Sequence, residues 1–376
     1  MKRDKYLRLI SDLYQVNPIV AIVGPRQIGK TTLAKIYSKS VSQEVHYFDL
    51  EDPADLVLFE NPKNLLSFLK GIVVIDEIQR KGELFPLLRF IVDNNPQLKF
   101  LILGSASPQL IKKASDSLAG RISYIELPGF SYEDGMNLDN LWVRGGFPKS
   151  FLSANDKISY QWRQDYIRSF VEIDIAEIAN IPKDNLKRFW YMLAHYHGQI
   201  FNSSEISKSL GISHVTAKKY LDILSGTFMV RNLNPWHENL KKRQVKSGKI
   251  YFRDCGLLHN LLNIKTKIDL MRHPKLGASW EGFALEEIAK KLNLRNEDMF
   301  FWSTSNNAEL DLLTFQDGKR MGYEFKFSDK PNATKSSHIV LQDLKLDELH
   351  IVHPGENSYQ IHDQIYLSSL KGICTS

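Results

Sequence analysis

A glycine-rich segment near the N-terminus has the residue types and the spacing for phosphate chemistry. Residues 24–31 read Gly-Pro-Arg-Gln-Ile-Gly-Lys-Thr and fit the pattern G-x-x-x-x-G-K-[ST] without a mismatch. In such a loop the glycines let backbone N–H groups surround a β-phosphate, and the following helix adds its positive dipole. We therefore predict a triphosphate-binding loop made of Gly24, Pro25, Arg26, Gln27, Ile28, Gly29, Lys30, Thr31 and Thr32.

Four side chains are expected to do the chemistry at this loop. Lys30 is suited to bridge the β- and γ-phosphates, and the Thr31 hydroxyl is suited to ligate Mg²⁺. A second apolar run ends in Asp76 and Glu77, where parallel sheets bind their ligands. We expect Asp76 to hold Mg²⁺ through water and Glu77 to act as general base on an attacking water. The predicted cofactors are ATP and Mg²⁺, and the predicted reaction is ATP hydrolysis.

A third apolar run leads into a further candidate. Residues 99–103 are followed by Gly104, Ser105, Ala106 and Ser107. If this strand is inserted between the other two, Ser105 contacts the γ-phosphate or orients the water. A small polar turn is the alternative, because serines often follow strands.

The elements that must position these residues form a regular pattern over residues 1–130. Short apolar runs alternate with longer amphipathic stretches, which predicts an α/β fold with a parallel sheet flanked by helices. The runs are continuous rather than alternating, as expected for strands buried on both faces. They are Ile19–Val23, Val45–Leu50, Ile72–Ile75, Phe100–Leu103 and Ile122–Leu127.

Length and composition limit the class of protein. The chain has 376 residues, too many for one ordinary core, so we expect two or three domains. No apolar run approaches the ~18 residues of a membrane span, so no membrane partner is expected. Cys255 and Cys374 are too few for a disulfide framework or a zinc cluster. A cytoplasmic protein with reduced thiols is the expected setting.

The net charge of +6 is concentrated in one segment. Between Leu186 and Arg253 there are 12 Lys or Arg against 3 Asp or Glu, so this segment carries +9 and the remainder about −3. A basic segment in a near-neutral chain favours contact with a polyanion such as DNA. A solvated lysine-rich surface is the alternative.

The same segment contains a helix-turn-helix pattern. Residues 202–213 are typical of a capped short helix, a glycine turn and a new cap, and a second helix is predicted from His214 to Leu224. Ala217, Leu221 and Leu224 repeat on one face and should be buried. His214, Lys218, Lys219 and Asp222 then point outward.

The second helix therefore has a shape suited to a DNA major groove. Residues 231–249 could add a basic wing through Lys241, Lys242, Arg243, Lys246 and Lys249. We predict DNA binding through residues 202–249 that depends on salt more than on sequence. A packing or oligomerisation module is the alternative.

The C-terminal region carries a possible metal-dependent nuclease pattern. Glu324 and Lys326 share one face of a predicted strand, and Asp311 lies on a second strand joined to it by a turn at residues 316–318. Glu281 on a preceding helix, Trp280–Leu292, completes the set. The order resembles the PD-(D/E)xK nuclease core, in which the acids hold Mg²⁺ and the lysine steadies hydroxide. Leu310 replaces the proline. An inactive nuclease-like fold and an unrelated fold remain open.

Taken together, these motifs resemble a bacterial and archaeal family of AAA-type ATPases. In that family an N-terminal ATPase domain is followed by a winged-helix segment and a C-terminal domain of uncharacterised function. The resemblance covers nearly the whole chain. The matching pieces are residues 24–32, 74–79, 103–107, 118–121, 145–148 and 251–258.

The resemblance implies an AAA-like sheet and a role for Arg121 near a nucleotide, either within one chain or across two chains of a homo-oligomer. A structural ion pair at a helix end is the alternative for Arg121. The predicted domains are a P-loop ATPase over 1–130, a helical lid over 131–184, an all-α winged helix over 185–250 and an α/β nuclease-like domain over 251–376.

Three functions are compatible with these features. The first is an ATP-driven enzyme that acts on DNA. The second is a nucleotide-gated signalling or adaptor ATPase with an inactive nuclease-like fold and a protein partner. The third is a DNA-binding initiator or regulator that uses ATP for assembly.

Overall fold

The computed structural model describes residues 3–105, 114, 116–175, 181–238, 245–304, 308–328 and 331–375. The chain divides into two compact units, one of residues 1–128 with 226–228 and one of residues 129–225 with 229–376. Within the described ranges, no helix is both long enough and apolar enough to cross a bilayer.

The first unit is built on a parallel sheet, to which its described part contributes five strands. They are β1 (Ile19–Gly24), β2 (Val45–Asp49), β3 (Ile72–Asp76), β4 (Lys99–Ser105) and β5 (Ile122–Glu126). Their order is β2-β3-β4-β1-β5, so β4 is inserted between β1 and β3, as the sequence predicts for an ATPase sheet. Because neighbouring strands are parallel, the carboxyl ends of β1, β3 and β4 lie at one edge.

Burial differs between the centre and the edges of this sheet. Strands β1 and β3 are buried along their whole length, as their continuous apolar runs predict. Strands β2 and β5 lie at the two edges and are partly exposed. The expectation of burial on both faces is therefore wrong for β2 and β5, because an edge strand is less fully covered by its neighbours.

Helices surround the sheet of the first unit. Helix α5 contributes Leu84, Phe85 and Leu88 to a core that also contains Phe100 and Ile102 of β4. The helices are α1 (Asp4–Leu13), α2 (Lys30–Ser40), α3 (Pro53–Leu58), α4 (Pro62–Ser67) and α5 (Leu84–Asn94).

The second unit contains a mixed sheet with nine described strands. They are β6 (Gln199–Ile200), β7 (Val230–Pro235), β8 (Lys249–Phe252), β9 (Met299–Ser303), β10 (Glu309–Gln316), β11 (Lys319–Phe325), β12 (Glu348–His353), β13 (Tyr359–His362) and β14 (Ile365–Ser369). Their order is β13-β14-β12-β11-β10-β9-β7-β8-β6. The predicted hairpin β10–β11 is present, and Asp317 and Gly318 in its turn have φ of 48° and 81°.

The helices of the second unit vary widely in length. The longest of them in the described ranges, α14, is buried along much of its length. They are α6 (Leu138–Arg144), α7 (Pro148–Phe151), α8 (Asp156–Ser169), α9 (Lys183–His195), α10 (Ser203–Leu210), α11 (His214–Gly226), α12 (Cys255–Leu261), α13 (Lys267–Met271), α14 (Leu276–Lys291), α15 (Lys335–Leu344) and α16 (Leu370–Thr375).

The basic segment forms the predicted pair of short helices. The Asn202 side chain caps α10, Gly211 ends it with φ of 66°, and the Ser213 hydroxyl accepts a hydrogen bond from Thr216 N at 3.0 Å as α11 begins. Ala217, Leu221 and Leu224 are buried and His214, Lys218, Lys219 and Asp222 are exposed, which confirms the predicted faces.

This segment also contributes strands, and it shares a sheet with the C-terminal region. Strand β7 pairs with β8 in an antiparallel hairpin and with β9 in parallel. The predicted boundary at residue 250 falls inside β8. The order helix, short strand, two helices and hairpin therefore continues directly into the sheet that carries the predicted nuclease residues.

Candidate functional site

The predicted phosphate loop connects the end of β1 to the start of α2. Gly29 immediately precedes α2 and has φ of 102°, in the left-handed region that glycine adopts without strain. Gly24 has φ of 154°, and a Cβ there would lie 2.6 Å from the Leu127 carbonyl oxygen. Both glycines of the motif are therefore required by local geometry.

Lys30 lies inside this loop. Its side chain is buried, and its Nζ donates hydrogen bonds to the Gly24 carbonyl at 3.1 Å and the Pro25 carbonyl at 2.9 Å. These carbonyls hold the ammonium beside the backbone of the loop. The cation is thus close to the position that a β- or γ-phosphate requires.

Thr31 and Asp76 meet at the carboxyl edge of the sheet. The Thr31 hydroxyl donates a hydrogen bond of 2.7 Å to Asp76 Oδ2, and Asp76 Oδ1 accepts one of 3.0 Å from the Glu77 backbone N–H. A hydroxyl and a carboxylate in contact are oxygen ligands of the kind that Mg²⁺ prefers. These residues fit a magnesium ion shared with a nucleotide.

Tyr47 is a member of this network that sequence reasoning missed. Its hydroxyl donates a hydrogen bond of 2.7 Å to Asp76 Oδ2, the same oxygen that Thr31 contacts. Burial and the neighbouring Asp76 raise the pKa of Tyr47 far above its usual value, so it remains a donor at all physiological pH values. An aromatic residue in a short strand gives no sequence signal beyond the strand itself.

Glu77 is held in an uncommon conformation directly after β3. Its φ is 53°, a left-handed value that is rare for residues with a Cβ. Burial raises its pKa, against the opposing effects of a hydrogen bond from Gln79 Nε2 and the charge of Lys30. A more basic carboxylate is better suited to take a proton from water. Gln79 is a second member that the sequence alone did not identify.

Ser105 and Arg121, which were also predicted to act on the nucleotide, lie at opposite edges of the sheet. Ser105 ends β4 and pairs with Gly24 in the register of β1 and β4, so its backbone lies at the loop edge, and its side chain is outside the described residues. Arg121 immediately precedes β5, at the opposite edge of the sheet. The structure does not bring Arg121 to the phosphate loop of its own chain.

Arg121 has the ion pair that was considered as its alternative role. Its Nε and Nη2 donate to the Asp93 carboxylate at 2.6 and 3.1 Å, and Nη1 donates to the Ala119 carbonyl at 2.9 Å. Both side chains of the pair are partly exposed. The guanidinium is therefore held at the surface of the first unit.

A group of acids in the second unit surrounds one buried lysine. Lys249 Nζ donates to Glu281 Oε1 at 2.8 Å, Glu309 Oε1 at 2.7 Å and Asp311 Oδ1 at 3.0 Å. We call Glu281, Glu309 and Asp311 the acid cluster. Burial alone favours the neutral amine, but Tyr251, Asp311 and Glu281 outweigh it and hold the pKa of Lys249 above its usual value. Burial and the charge of Asp311 raise the pKa of Glu281 to about 7.

The two remaining predicted nuclease residues lie beside this cluster and contact each other. Lys326 Nζ is 2.9 Å from Glu324 Oε1, and Glu324 Oε2 accepts a hydrogen bond of 2.8 Å from the Ser337 hydroxyl. The charge of Glu324 raises the pKa of Lys326 against the effect of burial. The structure thus places the predicted residues close to one another, and the sequence gave no sign of Lys249.

The acid cluster does not fit a divalent metal as the chain is arranged. Mg²⁺ requires oxygen ligands at about 2.0–2.1 Å, whereas the three carboxylate oxygens here lie 2.7–3.0 Å from an ammonium. Among the residues that the structure describes, no three His, Cys, Asp or Glu side chains converge as metal ligands would. Lys249 contacts Glu281 and Asp311, two of the residues that were predicted to form the metal site.

The basic segment is less exposed than its sequence suggests. Lys249 was expected in a phosphate-contacting wing, and this is wrong, because its ammonium is buried among the acid cluster. Arg231 is also buried and donates to both oxygens of Glu286 at 2.6 and 3.1 Å. Lys241, Lys242 and Arg243 lie outside the described residues. The exposed cations of the segment in the described ranges are Lys187, Arg188, Lys208, Lys218, Lys219 and Lys246.

The motifs at 145–148 and 251–258 contact each other within the second unit. Gly146 N donates to Asp254 Oδ2 at 2.7 Å, and Arg163 Nη1 donates to the Val143 and Gly256 carbonyls at 3.1 and 2.8 Å. A Cβ at Gly256 would lie 2.2 Å from the Arg144 carbonyl oxygen.

Both cysteines, Cys255 and Cys374, are free and buried.

The sheet order, the loop and the Thr31–Asp76 contact define an AAA-type P-loop ATPase domain. Consistent with this, a family described as an AAA domain matches residues 16–135. Two domains of unknown function, DUF8612 and DUF4143, match residues 136–268 and 276–372. The expected AAA-type ATPase is confirmed, whereas these two matches name neither a winged helix nor a nuclease.

Two relatives match this chain over its whole given sequence. It is 44% identical over 379 residues to uncharacterized proteins of Mycobacterium bovis and Mycobacterium tuberculosis, and the match covers 100% of this chain and 85% of theirs. The chain belongs to the same family as these proteins. A solved Walker-type ATPase of Pyrococcus abyssi is 14% identical, with 69% of this chain and 95% of that chain covered and a TM-score of 0.45.

Proposed function

We propose that this chain binds ATP with Mg²⁺ at the loop of residues 24–31 and hydrolyses it. The observation that carries this proposal is the contact of 2.7 Å between the Thr31 hydroxyl and Asp76, with the Lys30 ammonium inside the loop. Glu77 follows Asp76 directly, which suits it to receive a proton from the attacking water. When bound, Mg²⁺ supplies positive charge that neutralises the phosphate oxygens.

The test compares hydrolysis with nucleotide binding. Lys30→Ala is expected to abolish ATP binding, measured with a fluorescent ATP analogue, and hydrolysis with it. Glu77→Gln should still bind ATP and Mg²⁺ but turn over far more slowly. Unchanged hydrolysis in both variants would refute the proposal.

We further propose that α10 and α11, with the hairpin β7–β8, act as a DNA-binding winged helix. Support comes from the order of these elements and from the exposure of Lys218 and Lys219 on α11. In this interpretation the two lysines contact phosphates, so affinity falls with salt and sequence matters little. DNA that stimulates ATP hydrolysis in the wild type but not in Lys30→Ala would connect the two activities.

The DNA-binding proposal is tested by charge reversal. Lys218→Glu combined with Lys219→Glu should weaken binding to a labelled duplex at least tenfold and reduce its salt dependence by about two phosphate contacts. The matched control is Lys149→Glu with Lys157→Glu, since both of these lysines are exposed and lie outside the basic segment. Equal losses in both double variants would mean that only net charge matters.

A role for Arg121 across two chains of a homo-oligomer remains a proposal. Its partly exposed position at the sheet edge opposite the loop supports action on a neighbouring chain rather than on its own nucleotide. Arg121→Ala and Lys30→Ala should each be inactive. A mixture should regain activity, because one chain supplies the loop and the other supplies the arginine. A mixture that stays inactive while the subunits exchange would exclude this role.

The second candidate function is a nucleotide-gated signalling or adaptor ATPase whose nuclease-like sheet does not cut DNA. The observation that favours it is the ammonium of Lys249 between the three acids of the cluster. Plasmid DNA incubated with the wild type, Mg²⁺ and each nucleotide should remain intact. Cleavage that disappears in Glu324→Ala and Lys326→Ala would instead favour the ATP-driven nuclease.

A further inference from the structure

We propose that Lys249 is the resident cation of the acid cluster, and that the cluster admits a divalent ion only when this ammonium is removed. The inference rests on the non-cutting candidate function and names the residue that closes the site. Because it concerns the binding of a metal and not cleavage, this proposal and the non-cutting function can each fail without the other.

The geometry of Lys249 accounts for every hydrogen of its ammonium. A lysine Nζ carries three N–H donors and no acceptor. Its three contacts, at 2.8, 2.7 and 3.0 Å, go to one oxygen of each acid in the cluster. Each is a charge-assisted hydrogen bond of ordinary length. The ammonium is therefore fully coordinated by carboxylates, in the manner of a bound cation.

Two of the three acids, Asp311 and Glu281, are oriented toward this point by groups other than Lys249. Asp311 Oδ2 accepts a hydrogen bond of 3.0 Å from Phe325 N, which turns Oδ1 toward the ammonium. The Tyr251 hydroxyl donates to Glu281 Oε1. Because these donors stay in place when Lys249 changes, the carboxylates of Asp311 and Glu281 are expected to keep facing the vacated position.

Burial distinguishes this arrangement from a surface ion pair. The side chains of Lys249 and Asp311 are only 5% and 11% exposed, so water screens their charges little. Removal of the ammonium leaves negative charges close together in a poorly hydrated place, and a buried group left without its partner is costly. A divalent ion relieves that repulsion, with an inward shift of each oxygen of less than about 1 Å.

Lys326 provides a matched comparison within the same set of residues. It contacts Glu324 rather than the acid cluster, and its side chain is 44% exposed. Its removal takes the same charge from the same region without vacating the point between Glu281, Glu309 and Asp311. A general effect of lysine loss on metal binding should therefore appear in both Lys249→Met and Lys326→Met. An effect specific to the acid cluster should appear only in Lys249→Met.

The test counts bound Mn²⁺ by electron paramagnetic resonance of the free ion, with full-length protein and no nucleotide. Lys249→Met should bind one equivalent more than the wild type, and Lys326→Met should bind no more than the wild type. Adding Asp311→Asn to Lys249→Met should abolish the extra equivalent. A folded Lys249→Met protein that binds no additional Mn²⁺ would overturn the proposal.

A second measurement keeps the test decisive if Lys249→Met does not fold. The wild type and Asp311→Asn are titrated with Mn²⁺ in the same way. Equal stoichiometry supports the proposal, because the resident ammonium keeps Mn²⁺ out of the wild-type cluster. Loss of one equivalent in Asp311→Asn would show that the wild type already binds a metal there, and Lys249 would then not be the resident cation.

Discussion

The candidate nucleotide site of the first unit and the acid cluster of the second contain the same residue types in opposite relations. In the first, Lys30 donates to the Gly24 and Pro25 carbonyls, while Asp76 accepts from hydroxyls. In the second, Lys249 donates directly to the carboxylates. Hydrogen bonds from a lysine to neutral carbonyls leave its charge available for a phosphate. A lysine that contacts three acids has its charge neutralised.

The largest expected difference between the two regions concerns the loss of one carboxylate charge. Glu77→Gln should lower the rate of ATP hydrolysis by roughly 100- to 10,000-fold, the usual contribution of a general base. Glu281→Gln, the same change in the acid cluster, should leave the rate within about twofold. Steady-state phosphate release measures both. A comparable loss in Glu281→Gln would mean that the two regions act in one reaction.

The second expected effect is on stability. Here the larger effect is expected at the acid cluster and the smaller one at the nucleotide site. Lys249→Met should lower the free energy of unfolding of the second unit by about 3–5 kcal/mol, because it leaves the mostly buried Glu281 and Asp311 without their cation. Lys30→Met removes hydrogen bonds to the Gly24 and Pro25 carbonyls and should cost the first unit less, as measured by circular dichroism during the same unfolding. All 6 tryptophans lie within the second unit, so denaturant unfolding followed by tryptophan fluorescence reports on this unit.

A control separates charge from packing in that experiment. Combining Asp311→Asn with Lys249→Met removes one of the repelling carboxylates and should recover part of the lost stability. If the double variant is less stable than Lys249→Met, the effect of Lys249 comes from packing of its alkyl chain instead.

The difference between the two regions also explains what sequence could predict. The phosphate loop is local, because Gly24 to Thr31 are neighbours in the chain and their spacing alone defines the geometry. The strands were predictable from their apolar runs, and the turn at Asp317 and Gly318 from residues that accept positive φ. Asp76 and Glu77 followed from the rule that parallel strands bind ligands at their carboxyl ends.

Contacts between distant parts of the chain were not predictable in the same way. Lys249 is separated from Asp311 by 62 residues, and from sequence it was one of several lysines in a basic segment. Tyr47 is 29 residues from Asp76. A side chain's identity does not specify its partner, and burial reverses the role of a lysine from a surface cation to a buried counter-ion.

The third prediction concerns how the stability of the second unit depends on pH through His259. Burial lowers the pKa of His259 to about 3. Its neutral ring fits a chain of hydrogen bonds, with Nδ1 donating to the Val143 carbonyl at 3.1 Å and Nε2 accepting from the Ser279 hydroxyl at 2.7 Å. The positive charge of Arg163 further disfavours protonation.

The unfolded chain therefore binds a proton below about pH 6.5 that the folded chain does not bind until about pH 3. The contribution of His259 to the free energy of unfolding is therefore complete above about pH 6.5. It decreases as the pH falls, by at most about 1.4 kcal/mol per pH unit. Tryptophan-detected unfolding between pH 7 and 5 measures the slope. His259→Gln should reduce the slope by the share of this residue, while His197, whose pKa burial also lowers to about 3, keeps its own share. Replacement of the exposed His214 by Gln should not change the slope.

The smallest expected effect tests the network around Asp76. Tyr47→Phe keeps the ring and removes the hydroxyl that donates to Asp76 Oδ2, while Thr31 still donates to the same oxygen. The loss of one hydrogen bond, about 0.5–1.5 kcal/mol, should raise the Mg²⁺ concentration for half-maximal hydrolysis by roughly 2- to 12-fold. The maximal rate at saturating Mg²⁺ should change little, because Glu77 is untouched. A fall in maximal rate with an unchanged Mg²⁺ requirement would show that Tyr47 acts on the reaction itself and does not merely orient Asp76.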